Sequence, residues 1–163
     1  MYLLDTPIIL DLRNARANQA DAGLAAWATG VARERLFLSA ISLVELEGMA
    51  TKARRGDKAA AAGLRAWIDN QVVPAFEGHI LPLDAAVARR RGELAISETR
   101  DALLAATALE HGLTLVTRNP AAFKGARVKL FDPTGYQPKV EEADWRSAAR
   151  NGPLWLRNLF IRG

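Results

Sequence analysis

Leu36-Phe37-Leu38-Ser39-Ala40 is a continuous apolar run that passes almost without a break into Ser42-Leu43-Val44-Glu45. Unbroken apolar character over so few residues predicts a strand buried on both faces. The Ser-x-x-Glu spacing that follows is a capping box, in which the two side chains take up free amides at a helix start. It predicts a helix from Ser42 towards Arg55-Gly56. The same strand-then-helix pattern recurs in both directions. Upstream, residues 2–4 form a strand stub that stops at Asp5, Ile8, Ile9 and Leu12 mark a short helix, and 21–31 carries Leu24, Trp27 and Ala28 at helical spacing. Downstream, Asp57 caps a helix whose Leu64, Trp67 and Ile68 share one face, 80–83 is a third strand, and Asp84 caps a helix through Glu93. A further helix over 99–111 is stopped by Gly112, strand 113–117 follows, and 128–131 supplies a fifth strand. Five short apolar strands separated by helices predict an α/β fold of three layers, a central parallel sheet flanked by helices and joined by right-handed crossovers.

The chain of 163 residues is long enough for one compact domain, and its 50% hydrophobic content can fill a core. Lys and Arg number 22 against 18 Asp and Glu, a net charge of +4 that tilts the expectation towards a polyanionic partner. Cysteine is absent, which excludes disulfides, thiolate zinc sites and cysteine nucleophiles and is compatible with a reducing cytoplasm. The longest uncharged apolar run, 36–44, is far shorter than the roughly 18 residues of a membrane span, and Met1-Tyr2-Leu3-Leu4-Asp5 lacks a basic leader segment. A soluble, unexported, cytoplasmic protein with no membrane contact is expected.

Sheets of this kind bind ligands outside the carboxyl ends of their strands. Asp5, Thr117 and the segment before Glu45 would lie there, so acids far apart in sequence can converge. Asp101 enters from the start of a helix apolar nearly all round, Asp101-Ala-Leu-Leu-Ala-Ala-Thr-Ala-Leu-Glu110. A carboxylate on a buried helix is costly unless paired or bound to a cation. Each acid alone has a structural reading: Asp5 as a helix cap, Glu45 as the partner in the capping box, Asp101 as a complement to the helix dipole. Together they predict one shared metal site. Hard cations such as magnesium or manganese take oxygen ligands, keep several waters and activate one of them against a phosphodiester.

Order, spacing and wording then become specific. Tyr2-Leu-Leu-Asp-Thr6, Leu36-Phe-Leu-Ser-Ala-Ile-Ser-Leu-Val-Glu-Leu46, Arg100-Asp-Ala-Leu-Leu-Ala-Ala-Thr-Ala-Leu-Glu-His-Gly112 and Leu115-Val-Thr-Arg-Asn119 resemble the PIN-domain ribonucleases of the VapC toxin type over 1–132. The resemblance implies a PIN-like fold, with Asp5, Glu45 and Asp101 as the catalytic, Mg2+- or Mn2+-binding acids. Thr6, Thr117 and Asn119 would orient water or phosphate oxygens. It further implies a metal-dependent endoribonuclease acting on RNA as the toxin of a type II toxin–antitoxin pair, silenced by a cognate antitoxin.

Two positions depart from the family's wording. Members similar to this chain read Thr-Arg-Asn-x-x-Asp-Phe, with a fourth acid before the Phe; here Ala122 stands in that place, in Thr117-Arg-Asn-Pro-Ala-Ala-Phe123. The usual Asp-Thr-Asn opening is Asp5-Thr6-Pro7. Asn119 and Asp132 are the nearby candidates for part of the missing role. The alternative reading is a catalytically weakened PIN protein that binds RNA or an antitoxin without efficient cleavage. An aspartyl-phosphate hydrolase using Asp5 is disfavoured, because the second aspartate two residues on is missing.

Arg89, Arg90, Arg91, Arg100, Arg118, Lys124, Arg127 and Lys129 lie in the half that carries Asp101 and Thr117, and can grip a phosphate backbone. Arg100 and Arg118 are the expected substrate contacts; Arg100 pairing with Glu98, and Arg89 to Arg91 as a solvated helix face, are the structural readings. His79 and His111 read as structural. Residues 133–163 form a C-terminal extension outside the resemblance, irregular around Pro133, Gly135 and Pro138, then helical over 140–150. Its apolar end, 154–161, needs cover from the domain, from a second copy giving a homodimer, or from an antitoxin; Trp145 and Trp155 can stack on bases.

Overall fold

The computed structural model describes residues 1–14 and 21–137. The expected helix over 140–150, the apolar segment 154–161 and the two tryptophans Trp145 and Trp155 lie outside the described residues.

Five parallel strands build the sheet: β1 (Tyr2–Leu4), β2 (Leu36–Ser39), β3 (Ile80–Leu81), β4 (Thr114–Val116) and β5 (Lys129–Phe131), in the order β3-β2-β1-β4-β5. Successive side chains on a strand point to opposite faces, and here both faces are apolar. Leu4, Leu36, Leu38 and Val116 enter one core; Leu3 and Leu115 enter the other. That is why the strands read as unbroken apolar runs.

The first core is covered by α1 (Thr6–Asn14), α2 (Ala22–Thr29), α3 (Ala40–Ala53) and α4 (Lys58–Trp67), through Ile8, Ile9, Leu12, Leu24, Trp27, Leu46 and Leu64. After α4 a π turn over Ile68–Val72 leads into the short α5 (Val73–Ala75). This continuation was not expected. Pro74 lacks an amide proton and crowds the carbonyl four residues back, so a widened turn precedes it. On the other face lie α6 (Ala85–Gly92) and α7 (Thr99–Glu110). Leu104, Ala105 and Ala108 of α7 pack with Leu3, Leu115 and Phe123, and its alanines let the helix lie close to the sheet. Gly112 ends it at φ +62°, a conformation that only glycine adopts without strain.

Two boundaries differ from expectation in an informative way. β2 ends one residue early and α3 begins at Ala40, with Ser39 as its cap accepting from the Ile41 amide at 3.4 Å. The capping box read on Ser42 and Glu45 is therefore not used. Both serines qualify locally, but the strand runs into the helix with no loop, and Ser39 is the one that stands at the junction. Thr107 gives its proton to the Leu103 carbonyl at 2.8 Å, so the Ser39 hydroxyl donates to Thr107, at 3.3 Å, and ties the start of α3 to α7. Ser42 falls inside the first turn, buried, with its hydroxyl unpartnered among the described residues. Glu45 lies in the second turn and is free for another task.

The chain goes outward from β1 to β2 and β3, then recrosses the sheet to lay down β4 and β5 on the other side of β1. Direction reverses between β1 and β4. Crevices at such reversals, beyond the carboxyl ends of the strands, are where open α/β sheets place their ligands.

Candidate functional site

Asp5 and Thr117 are the residues that follow β1 and β4 at this reversal. The Asp5 amide donates to the Val116 carbonyl at 3.1 Å, which fixes it in register, and its carbonyl accepts from the amides of Ile8 and Ile9 as α1 begins. Both carboxylate oxygens go elsewhere. Oδ2 accepts from the Thr117 hydroxyl at 2.7 Å, and Oδ1 accepts from Nη2 of Arg100. Asp5 starts α1 with its main chain and leaves its side chain, only 4% exposed, to the site.

Glu45 and Asp101 arrive from the two flanking layers. Glu45 on α3 accepts from the Thr6 hydroxyl at 2.5 Å and from Nε of Arg100 at 3.0 Å. Asp101, in the first turn of α7, accepts from Nη1 of Arg100 at 2.7 Å. One guanidinium thus meets all three acids, each through a different nitrogen. Burial penalises its charged form, but hydrogen bonds to Asp5 and Asp101 and the charges of Asp5 and Glu45 outweigh that and raise its pKa above the ordinary arginine value.

These groups line a cavity of about 490 Å³ whose wall also includes Pro7, Lys52, Asn119, Ala122 and Phe123. Thr117 lies beneath, fully buried. Its hydroxyl donates to Asp5 and accepts from the Asn119 amide at 3.1 Å, so one oxygen orients both the carboxylate and the turn that carries Asn119.

The structure therefore brings together Asp5, Thr6, Glu45, Arg100, Asp101, Thr117 and Asn119. It does not bring Arg118, whose guanidinium pairs with Asp11 at 2.7 Å and Asp21 at 3.6 Å, on α1 and at the cap of α2. Arg100 pairs with the three acids of the site and not with Glu98. Asp132 accepts from the Thr134 amide at 2.9 Å and does not line the cavity. Ala122 does line it, half-buried, so the place where the family's wording has an acid faces the site. His79 is structural, its Nδ1 3.1 Å from the Leu36 carbonyl and its ring stacked on Phe37. Lys52 was missed, although the spacing Glu45, Gly48, Met49, Lys52 is that of one helix face and gave a usable signal.

Carboxylates and hydroxyls on a recessed, water-accessible cavity are the donor set of a hard divalent cation. Their convergence on one cationic group shows that the site is organised around positive charge. Their present spacing is that of a guanidinium, and in this arrangement no three acids among the described residues are placed to share one ion. Asp5, Glu45 and Asp101 fit such an ion in chemistry, and Arg100 would have to move aside for the three to approach it.

Residues 2–128 match the PIN domain family. The chain belongs to the PIN-domain family. Among PIN-domain relatives, VapC ribonuclease Y4jK of Sinorhizobium fredii (strain NBRC 101917 / NGR234) is 33% identical over 146 residues, covering 82% of this chain and 97% of the relative. Toxin FitB of Neisseria gonorrhoeae (strain ATCC 700825 / FA 1090) is 31% identical over 141 residues, covering 82% and 98%. The PIN fold is shared with solved structures: FitAcB from Neisseria gonorrhoeae has a TM-score of 0.71 at 30% identity, covering 82% of this chain and 98% of that one. FitAB bound to an IR36 DNA fragment has a TM-score of 0.73 at 28% identity, covering 86% and 100%. Among the described residues no helix is long and apolar enough to cross a membrane.

Proposed function

We propose that this PIN-domain protein is a metal-dependent endoribonuclease, the toxin of a type II toxin–antitoxin pair, and that it hydrolyses RNA phosphodiester bonds with Mg2+ or Mn2+ held by Asp5, Glu45 and Asp101. The observation that carries this reading is the convergence of three carboxylates from three separate elements on one cation, at the reversal point of the sheet. The names of its relatives, a VapC ribonuclease and a toxin, support the reaction and the biological class. Solved complexes such as FitAB, in which a toxin-like chain is bound to a partner and to DNA, support a protein antitoxin as partner.

When bound, the ion supplies charge neutralisation at the phosphoryl oxygens and a more acidic water. The chain's own residues do the positioning. Thr117 holds one oxygen of Asp5, Thr6 holds one of Glu45, and the other oxygen of each accepts from Arg100. Asn119 lines the same space, while Arg100 and Lys52 offer cations to a phosphate entering it.

One observation favours a weakened variant of the same function. Ala122 lines the cavity where the family's wording has an acid, so three carboxylates stand where four are usual. The two readings separate in one experiment. Purified protein with manganese is incubated with structured RNA, alongside Asp5→Asn. Cleavage by the first and not the second supports the nuclease; binding without cleavage by either supports the weakened form.

A further inference from the structure

A pocket that carries three carboxylates repels the backbone it is meant to cut, so an RNA strand must be held by cations outside it. Several expected candidates are already engaged. Arg118 pairs with Asp11 and Asp21, Arg90 pairs with Glu93 and Glu110 at 3.0 and 3.2 Å, and Arg91 reaches the Ile96 carbonyl.

A different set is free. Residues of α3, of α4 and of the turn between them line a second cavity of about 710 Å³, floored by Ala50 and Ala61 and walled by Arg54, Lys58 and Arg65. Among the described residues, Arg65 pairs with Glu47, whereas Arg54 and Lys58, with their neighbours Lys52 and Arg55, have no carboxylate partner. All five cations are exposed. The two cavities share a wall: Gly48, Met49 and Lys52 of α3 face the acids, and Ala50, Thr51 and Arg54 of the same turns face the cleft. A helix is about 10–12 Å across, and a stacked strand carries one phosphate per about 3.4 Å. The cleft is thus roughly three nucleotides from the acids along a strand that crosses α3 at Lys52.

The geometry points to the α3–α4 cleft as a phosphate-backbone subsite for single-stranded RNA, in which Arg54 and Lys58 hold the part of the substrate that leaves the acid pocket over Lys52. This rests on the nuclease reading and deepens it by giving the strand a path. The small floor admits close approach of a backbone or a base, and the unpaired cations carry no competing ion pair that must first be broken.

The test is fluorescence anisotropy of a labelled mixed-sequence single-stranded RNA in EDTA, across a salt series, with a duplex DNA of equal length as a second arm. Arg54→Ala/Lys58→Ala should weaken RNA binding at least tenfold at 0.1 M salt. It should also reduce the slope of log affinity against log salt by about 1.4, the loss expected for two phosphate contacts on a single strand. Arg90→Ala, the loss of one guanidinium that is already paired, should change affinity less than twofold. Unchanged binding and slope in the double variant, with its melting temperature unaltered, overturns the cleft. So does an equal or larger loss for duplex DNA than for RNA, or retention of full RNA binding by Arg54→Gln/Lys58→Gln. Cleavage in manganese is scored separately. RNA bound through the cleft but never cut sinks the nuclease and leaves the cleft standing, whereas RNA cut normally by a double variant with unchanged binding removes the cleft alone.

Discussion

Arg100 and Asp101 are adjacent in the chain and paired across the mouth of the site, Nη1 of one donating to Oδ1 of the other at 2.7 Å. Because the same guanidinium serves Asp5 and Glu45 as well, it stands among the acids that, on the reading proposed above, would hold a divalent ion. On that reading the two cations are alternatives. The apparent affinity of a ligand falls by the fraction of molecules in the competent state, so Arg100→Gln should bind manganese at least tenfold more tightly, a difference of about 1.4 kcal/mol. Titration calorimetry measures this without any RNA. Equal affinity in both proteins would mean that the guanidinium does not obstruct the ion.

The same substitution has an opposite effect without metal. Asp5 is nearly buried, and removing its cationic partner leaves a charge poorly compensated. The melting temperature of metal-free Arg100→Gln should drop, and millimolar manganese should restore it by mass action. A variant that melts like the wild type in EDTA contradicts the pairing.

Asp101→Asn keeps the shape of the first turn of α7 and removes one charge. Arg100 retains Asp5 and Glu45, so the fold should lose little stability, while the metal-induced rise in melting temperature should disappear. If the variant instead unfolds at ordinary temperature, the acid serves the helix and not the ion.

Thr117→Val is nearly isosteric but deletes the hydroxyl shared by Oδ2 of Asp5 and the Asn119 amide, each of which then loses that partner, while Oδ1 of Asp5 keeps Arg100. An unsatisfied buried group costs about 1–3 kcal/mol, readable in urea unfolding, and Thr117→Ser should recover most of it. Indistinguishable unfolding midpoints for Thr117→Val and wild type would remove Thr117 from the site's support.

Ala122→Asp places a carboxylate on the cavity wall. It should tighten metal binding and raise cleavage tenfold or more, each tenfold being about 1.4 kcal/mol of barrier. Brisk cleavage by the wild type that Ala122→Asp leaves unchanged would show the position to be dispensable, and Asn119→Ala should then be the damaging substitution.

The meeting of Asp5, Glu45 and Asp101 was legible because strand ends and a charged residue on an apolar helix leave local marks in the sequence. What held them was not. Arg100 sits beside Asp101, but its reach to Asp5 and Glu45 depends on where β1 and α3 end up, which no local pattern encodes. The start of α3 was misplaced because Ser39 and Ser42 are equally good caps, and only the length of β2 decides between them. Arg118 was expected at the substrate as one of the basic residues in the half that carries Asp101 and Thr117. Consecutive residues leaving a strand point opposite ways, so the threonine faces Asp5 and the arginine faces α1.

Thr117 and Asp5 are 112 residues apart, yet each is needed to orient the other, and the β4 strand that sets their register is laid down only after the chain has recrossed the sheet. Contacts of such long separation form late, because loop closure precedes any gain from them. During synthesis, then, the first acid leaves the ribosome long before the residues that aim it. A nascent chain short of β4 carries Asp5 without the threonine that orients it and has no completed pocket. On the reading proposed above, the chain acquires its chemistry only once β4 has been made and paired with β1, which leaves an antitoxin the interval of translation up to that point in which to be waiting.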